Sequence, residues 1–194
     1  GYQSGYSNTT GAGNISVGYN AGSSISTGRY QTAIGAYSVG GGNSAGVYVT
    51  GENTTGVGYC ALQKLTSGEQ NTAIGVISLY SNTTGSNNIA VGYFALYNNT
   101  TGTYNIAQGY NAMRQNTTGN NNFAAGFRAL YYNTNGSCNV AIGSYGLYSN
   151  TTGINNVAIG PNTLRNNTTG INNFAVGCNA MYCNSFGSNN SAVG

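Results

Sequence analysis

Two series of glycines recur every 17 residues along almost the whole chain. The first closes an Ala-Ile/Val-Gly triplet or its equivalent, as at Gly92, and the second closes an Asn-Thr-Thr-Gly segment, as at Gly85. Both keep the same spacing, apart from one excess of six residues. A period this regular is typical of repeat proteins, whose units pack only on their neighbours. We therefore predict that residues 1–194 form one repeat domain of about eleven coils, with a six-residue insertion between residues 36 and 50, in or beside residues 38–43.

The period also predicts the kind of coil. It is too short for helical-pair repeats, which need about 33 residues, and Gly, Asn, Thr and β-branched residues are weak helix formers. The apolar run 89–97 is bounded by Gly and Asn clusters, which is typical of a strand. In the Asn-Thr-Thr-Gly segment we expect a turn, in which Asn caps its own backbone and Gly supplies a positive φ. The expected fold is all-β, a parallel β-solenoid (β-roll) with one 17-residue repeat per coil and strands about 4.8 Å apart in a rod of roughly 50 Å.

Stacked coils place equivalent residues above one another, so the repeat predicts ladders of structural residues. Stacked Asn amides can hydrogen-bond along a ladder and to the turn backbone. Ala suits a place where the walls of a flattened coil approach closely, and Leu supplies an apolar core. The ladder residues are Gly75, Gly92, Gly109, Gly126, Gly143, Gly160 and Gly177; Asn88, Asn105, Asn122, Asn139, Asn156 and Asn173; Ala90, Ala107, Ala124, Ala141, Ala158 and Ala175; and Leu79, Leu96, Leu130, Leu147 and Leu164.

Both faces of the apolar run are expected to be buried. Neighbouring residues of a strand point to opposite faces, and residues 89–97 are apolar at nearly every position. A thin coil buries only one of these faces, so another chain must cover the second. We therefore expect a homo-oligomer, with three parallel chains favoured.

Composition argues against several classes of partner. Charged residues are 4% of the chain, whereas about 25% is typical of soluble domains, so Asn, Ser and Thr must keep it soluble. The five cations are scattered in the sequence, which predicts no nucleic-acid partner. No apolar run reaches the roughly 18 residues that span a bilayer, so no membrane insertion is expected. The chain has no His, and its four Cys fit no zinc spacing, so we expect neither metal nor cofactor.

Reactive side chains are few. Glu52 and Glu69 lie one repeat apart and are a candidate acid–base pair. Nothing else converges on them, so we interpret them as solvated turn residues and the chain as no enzyme. Cys178 and Cys183 are a candidate disulfide, with small buried thiols as the alternative.

Three surface features leave alternatives open. Asn-Thr-Thr sequons are candidate glycosylation sites in a secreted chain, although a turn beside an obligatory Gly already explains the motif. Adjacent threonines such as Thr83 and Thr84 raise the alternative of an ice-binding array, but they would diverge in a strand. Tyrosine ladders suit packing between chains or, alternatively, sugar binding. The sequon residues are Asn8, Asn53, Asn82, Asn99, Asn116, Asn150 and Asn167, and the two tyrosine ladders are Tyr80, Tyr97, Tyr131, Tyr148 and Tyr182, and Tyr19, Tyr59, Tyr93 and Tyr110.

The repeat unit N-N-x-A-[IV]-G-x-x-A-L resembles the head repeats of trimeric autotransporter adhesins of the YadA type. It is also similar to repeats in the shafts of phage tail fibres. Residues 87–96 and 155–160 carry the match. The resemblance implies a trimeric, left-handed parallel β-roll with one repeat per coil, at an exposed tip or shaft. This coil is longer than the adhesin repeat by its Asn-Thr-Thr-Gly turn.

The function that we expect is structural. The chain is interpreted as a rigid shaft or head segment of a longer fibre, either a phage tail fibre or a surface adhesin, on the outside of a cell or virion. Its expected partners are further copies of itself and a cell-surface glycan or receptor. One alternative is a subunit of an extracellular filament that stacks end to end through open strand edges, and another is an ice-binding solenoid.

Overall fold

Equivalent segments of successive repeats pair as parallel strands. Our computed structural model describes residues 1–42 and 46–194. These residues contain eleven strands, which form one sheet in chain order. The strands are β1 (Ile15–Val17), β2 (Thr32–Ile34), β3 (Thr55–Val57), β4 (Thr72–Ile74), β5 (Ile89–Val91), β6 (Ile106–Gln108), β7 (Phe123–Ala125), β8 (Val140–Ile142), β9 (Val157–Ile159), β10 (Phe174–Val176) and β11 (Ser191–Val193).

Each strand lies in register with the strand one repeat later. Ala90 in β5 is opposite Ala107 in β6, and Ala107 is opposite Ala124 in β7. This pairing confirms the predicted all-β parallel solenoid with one repeat per coil. The middle residue of each strand points into the coil, where Ala90 is fully buried, while its neighbours Ile89 and Val91 point outward and are exposed.

The strand is shorter than the apolar run that predicted it. It ends at Val91, and the backbone then enters the left-handed region at Phe94 (φ 55°) and Leu96 (φ 51°). The consecutive residues Ala95 and Leu96 are both fully buried, which a strand would not allow. The expectation of a nine-residue strand buried on both faces is therefore wrong. A tight turn rather than a second chain buries the last part of the run.

The apolar core depends on left-handed backbone at one position of every coil. From Leu62 onward this position holds Leu or Met with φ between 47° and 56°. In the second coil the same position is Gly22 (φ 58°), where a Cβ atom would lie 2.8 Å from the Cδ1 atom of Ile25. Ile25, fully buried from a neighbouring turn, therefore fills the space that Leu fills in later coils.

The two glycine series are required for different reasons. Gly92 has φ 136°, and a Cβ atom there would lie 2.6 Å from the carbonyl oxygen of Gly109 in the next coil. Gly102 in the second series does not have a positive φ, so the conformational reason predicted for that series is wrong. A Cβ atom at Gly102 would instead lie 2.4 Å from Oδ1 of Asn99 and 2.5 Å from the carbonyl oxygen of Gly119. Crowding by a side chain and a neighbouring coil excludes larger residues.

The predicted Asn ladder lies inside the coil and is hydrogen-bonded throughout. Asn105 is fully buried, and its Nδ2 donates to Oδ1 of Asn88 (3.2 Å) and to the carbonyl oxygen of Gly119 (2.8 Å). Its Oδ1 accepts the backbone N–H of Asn122 at 3.1 Å. The same pattern links Asn71, Asn88, Asn105, Asn122, Asn139, Asn156, Asn173 and Asn190. Each side chain thus satisfies backbone groups of its own and neighbouring coils.

A second buried Asn ladder comes from the sequon position. Asn99 Nδ2 donates to Oδ1 of Asn82 (2.8 Å) and to the carbonyl oxygen of Gly102 (3.0 Å). Gly102 also accepts from Asn88 Nδ2, so both ladders meet at one carbonyl. The ladder continues through Asn116, Asn133, Asn150 and Asn167.

Hydrogen bonds between coils locate the insertion. The bond from Leu79 N–H to the Ala95 carbonyl spans 16 residues, but the equivalent bond from Val39 to Ala61 spans 22. The bond from Ser26 to Val49 spans 23 residues, where 17 is usual. The six extra residues therefore fall within 40–48. Of the residues named for the insertion from the sequence, Asn43 lies outside the described part of the chain.

The surroundings of Gly109 and Gly146 predict opposite effects for Gly→Ala substitutions at the two positions. Gly109→Ala is expected to destabilise the chain by about 1–3 kcal/mol, because φ 131° and a 2.6 Å approach to the Gly126 carbonyl oxygen both oppose a Cβ atom. Gly146→Ala should stabilise it by about 0.4–1 kcal/mol, because a Cβ atom there meets nothing closer than 3.5 Å. Denaturant unfolding measures both. Equal effects of the two substitutions would contradict this account.

The Asn ladder predicts a large cost for one amide. Asn105→Ala leaves the buried N–H of Asn122 without its acceptor and breaks the ladder, so we expect a loss of about 2–4 kcal/mol in the free energy of unfolding. Thr118→Ala, at an exposed turn position of the next coil, is the control and should change stability by less than about 0.5 kcal/mol. A similar loss in both variants would show that the ladder carries no special weight.

Candidate functional site

Three ladders of outward side chains form one side of the rod, which we call the aromatic side. They are the residues one, two and five positions after each strand-closing Gly; the two residues between point into the core. From Gly58 onward the first ladder includes Tyr59, Val76, Tyr93, Tyr110 and Phe127; the second includes Cys60, Ile77, Phe94, Asn111, Arg128 and Tyr145; and the third includes Gln63, Tyr80, Tyr97, Arg114, Tyr131, Tyr148, Arg165 and Tyr182. The two tyrosine ladders seen in the sequence therefore share one side.

Aromatic rings on this side stack along the rod. The rings of Tyr93 and Tyr110 have centroids 5.5 Å apart and planes 11° apart, and Phe127 continues the stack 5.3 Å beyond Tyr110. Tyr80 and Tyr97 stack in the same way at 5.3 Å. Edge-to-face contacts join the ladders, as between Phe94 and Tyr97 at 5.0 Å. The spacing follows from the coil repeat of about 4.8 Å and suits offset ring packing.

Four of the five cations contact these rings. The guanidinium of Arg114 lies 5.1 Å from the ring centroid of Phe94 and donates to the Tyr131 hydroxyl at 2.9 Å. Arg165 repeats the arrangement three coils later, 4.9 Å from Tyr145 and bonded to the Tyr182 hydroxyl. Lys64 and Arg128 also lie over aromatic rings. Cations that are scattered in the sequence therefore lie on one side of the fold. Their spacing in the sequence reveals this only after each residue has been assigned to its ladder.

Carboxylates are placed elsewhere. Arg29, Glu52 and Glu69 occupy equivalent positions of three successive coils, joined by backbone bonds from Asn53 to Arg29 and from Gln70 to Glu52. Glu52 and Glu69 therefore stack, as the sequence predicts, on a rim that also carries Arg29. The cations of the aromatic side consequently have no acidic neighbour on their own side.

Two clefts open on the aromatic side, on either side of Phe94. The larger, of about 480 Å³, is lined by Tyr37, Tyr59, Cys60, Gln63, Ile77, Tyr80, Phe94 and Tyr97. The second, of about 260 Å³, is lined by Tyr93, Phe94, Tyr110, Asn111, Arg114, Arg128 and Tyr131. The second cleft combines aromatic surface with two cations, Arg114 and Arg128.

The sequon residues fall into two groups. Asn82, Asn99, Asn116, Asn150 and Asn167 are fully buried and form the second Asn ladder, so the folded coil leaves no room for a glycan on them. Asn8 and Asn53 are exposed. Asn53 differs from the others in position, because Thr55 of its Asn-Thr-Thr segment begins β3 and Thr54 takes the place of the first Asn ladder.

The threonines of the turn do not form two outward ranks. The first Thr hydroxyl donates to the next coil, as from Thr83 to the Thr100 carbonyl oxygen (3.2 Å). The second, such as Thr84, is exposed. One exposed rank is less than the flat double array that the ice-binding alternative needs.

The four cysteines are all free thiols, so the candidate disulfide between Cys178 and Cys183 does not form. Cys138, Cys178 and Cys183 are exposed, and Cys60 alone is buried. Burial raises the pKa of the Cys60 thiol, although its hydrogen bond with Tyr59 acts in the opposite direction. The expectation of small buried thiols thus fits one residue of the four.

Within residues 1–42 and 46–194, no group of three or more potential metal ligands comes together. In the same ranges there is no helix of the length and apolarity that a bilayer crossing requires.

No family model matches this chain, and neither a curated protein nor a solved structure matches it. The resemblance to adhesin and tail-fibre repeats therefore stays a prediction from the residues of the repeat.

Thiol titration tests this side of the rod. At mildly alkaline pH, Cys138, Cys178 and Cys183 should react quickly with an aromatic disulfide reagent because they are exposed, and Cys60 slowly, because it is buried and its pKa is raised. The Cys60→Ala variant should lose the slow phase, and Cys178→Ser should lose one third of the fast phase. Four equally fast thiols would contradict the described packing.

Proposed function

We propose that this chain is a non-catalytic structural and adhesive segment of a fibre on the outside of a cell or virion. It serves as a rigid rod that associates side by side with copies of itself, three chains being favoured. The observation that carries the proposal is the outward face of the sheet, which is apolar along most of its length and is covered by no other part of the described chain.

Rigidity follows from the way in which coils are joined. Backbone hydrogen bonds link each coil to both neighbours at the strand, at the turn after it and at the Asn-Thr-Thr-Gly segment, as in Gly92 to Ile74, Leu96 to Ala112 and Thr100 to Thr117. The two buried Asn ladders add side-chain bonds between the same coils. Bending the rod requires several of these bonds to lengthen together, which suits a shaft that holds a binding surface at a distance.

The outer sheet face consists of the first and third residues of strands β1 to β11. In β5, β8 and β9 both are aliphatic, and Ile89, Val91, Ile142 and Ile159 expose 37–39% of their surface. Strands about 4.8 Å apart make a face of roughly 50 Å by 10 Å. An apolar area of this order is at the upper end of what monomeric proteins expose, and such patches mark interaction sites.

A second copy is the partner that fits this face best. The face carries no charged residue and repeats in register along the rod, so a surface of the same length and periodicity covers it fully. Three parallel chains around one axis would cover the face on each chain, as the resemblance to adhesin repeats implies.

Axial stacking is the second candidate. Strands β1 and β11 present the two edges of the sheet, and a further coil, in the same chain or in a second copy, would pair there in the same register. Electron microscopy separates the two modes, since lateral bundles have a fixed length and stacked filaments do not.

Lateral association predicts the effect of charges on the outer sheet face. In Ile142→Lys/Ile159→Lys, two unpaired ammonium groups must be buried for association, so we expect the small closed oligomer to dissociate to monomers, a loss of about 3 kcal/mol or more. The measurement is light scattering after gel filtration, with circular dichroism to verify the fold.

The control is Thr118→Lys/Thr152→Lys, at exposed turn positions away from the sheet. It adds the same charge and should leave the oligomer intact. A wild-type chain that is monomeric at micromolar concentration, or a control that dissociates equally, would refute lateral association through this face.

A further inference from the structure

The smaller cleft on the aromatic side holds a buried acceptor that the fold leaves unused. Asn111 is only 7% exposed, and its Oδ1 atom is buried without a hydrogen-bond partner. The buried Nε atom of Arg128, at the same ladder position in the next coil, is likewise unpaired. Unpaired buried polar atoms are uncommon because each loses its bonds to water. Two of them lie in the lining of one cleft, where their bonding capacity is available to a bound group.

Two guanidinium groups give this cleft a positive charge. Arg114, one coil before Tyr131 in the same ladder, and Arg128, in the same coil as Tyr131, both lie over its ring, with Cζ atoms 6.0 Å and 5.7 Å from the centroid. The only two carboxylate side chains of the sequence, Glu52 and Glu69, lie on another rim, before β3 and β4. The charges are therefore uncompensated within the chain, and a planar anionic group can accept from both.

We infer that this cleft binds a carboxylate-bearing sugar unit of an acidic polysaccharide. The carboxylate accepts from Arg114 and Arg128, a sugar hydroxyl donates to Asn111 Oδ1, and the apolar surface of the ring packs against Tyr93 and Tyr110. The inference rests on the proposed function for its setting, because it names the ligand class of the adhesive fibre. The sugar site uses residues of the cleft, whereas the proposed lateral interface uses the outer sheet face, so the two sites do not share residues.

The unused acceptor decides between kinds of anion. Sulfate and the phosphate diesters of nucleic acids offer only acceptors around the charge, so they satisfy the guanidinium groups but not Asn111. A hydroxylated ring beside a carboxylate supplies both a donor and an acceptor within one small unit. The cleft volume of about 260 Å³ accommodates one such ring.

The repeat provides a natural comparison three coils later. There Arg165 keeps the place of Arg114, with Tyr145, Tyr148 and Tyr182 around it. The place of Arg128 is taken by Asn179, and that of Tyr110 by Pro161. This position has one guanidinium and no second cation, so it should not bind the ligand.

The test is calorimetric titration of the full chain with short oligomers of galacturonic acid and with N-acetylneuraminic acid. Neutral galactose oligomers, sodium sulfate and inorganic phosphate are titrated in parallel. We expect saturable binding of at least one acidic sugar, and binding at least about tenfold weaker for the neutral oligomer, because each charge-assisted bond contributes roughly a factor of ten or more.

Variants assign the binding to the cleft. Arg128→Gln and Asn111→Asp should each weaken acidic-sugar binding by about tenfold or more, whereas Arg165→Gln should change it less than about twofold. Circular dichroism and thermal melts of all three verify that the coil is intact.

Four results would overturn the inference. Absence of binding by every acidic sugar, equal binding of the neutral oligomer, or sulfate binding as tight as sugar binding would each exclude a carboxylate-sugar site. An equal loss in Arg165→Gln would mean that charge alone, rather than this cleft, attracts the ligand. Light scattering of the same samples reports the oligomer separately, so failure of the sugar site and failure of lateral association are distinguishable.

Discussion

Buried amide side chains carry the structure of this solenoid, because each coil encloses very little else. In the coil that begins at β5, the interior holds two alanines, one leucine and two asparagines. Such a core cannot stabilise a coil alone, and the asparagines make the coils interdependent: Asn88 and Asn99 both donate to the Gly102 carbonyl oxygen and to the coil below. Burying these amides is favourable only while each keeps its partners in the adjacent coils. Stability therefore belongs to the stack, in the manner of repeat proteins whose units contribute mainly through their interfaces.

The backbone forms each coil with several residues in the left-handed conformation, and each of these residues costs free energy. Outside glycine, a left-handed residue costs about 1–2 kcal/mol, and the coil that begins at β5 has three, at Phe94, Leu96 and Tyr104. The first two, Phe94 and Leu96, turn the chain within about six residues, so that Ala95 and Leu96 point inward and the rings beside them point outward. The aromatic side is thus a product of the tight turn. Its rings and guanidinium groups occupy the outer positions of a segment whose inner positions are needed for the core.

The sequence predicted the architecture because periodicity specifies it directly: residues 17 apart must stack, and the ladders of Asn88, Ala90 and Leu96 follow. Strand length was overestimated, because apolar residues at 93–97 look the same whether they alternate across a strand or line a turn. The reason for the second glycine series was also missed, since crowding by Asn99 depends on a side-chain position that the pattern does not contain. The cation cluster escaped notice for a related reason: Arg114 and Arg128 are neighbours through the coil and fall in different ladders. The repeat pattern does not specify the oligomeric state or the ligand, because each depends on a second molecule that binds to the surface.

The asparagine ladders also have a direction. Every amide-to-amide bond in both points the same way, with Nδ2 facing the N-terminal end of the rod and Oδ1 facing the C-terminal end, as in Asn105 to Asn88 and Asn116 to Asn99. Aligned amide dipoles add along an axis, as peptide dipoles do in a helix, so the two buried ladders contribute a dipole along the rod without any charged residue taking part. In these ladders the positive pole faces the N-terminal end and the negative pole faces the C-terminal end. Copies joined head to tail would extend the dipole chain, whereas copies joined head to head would place like poles together.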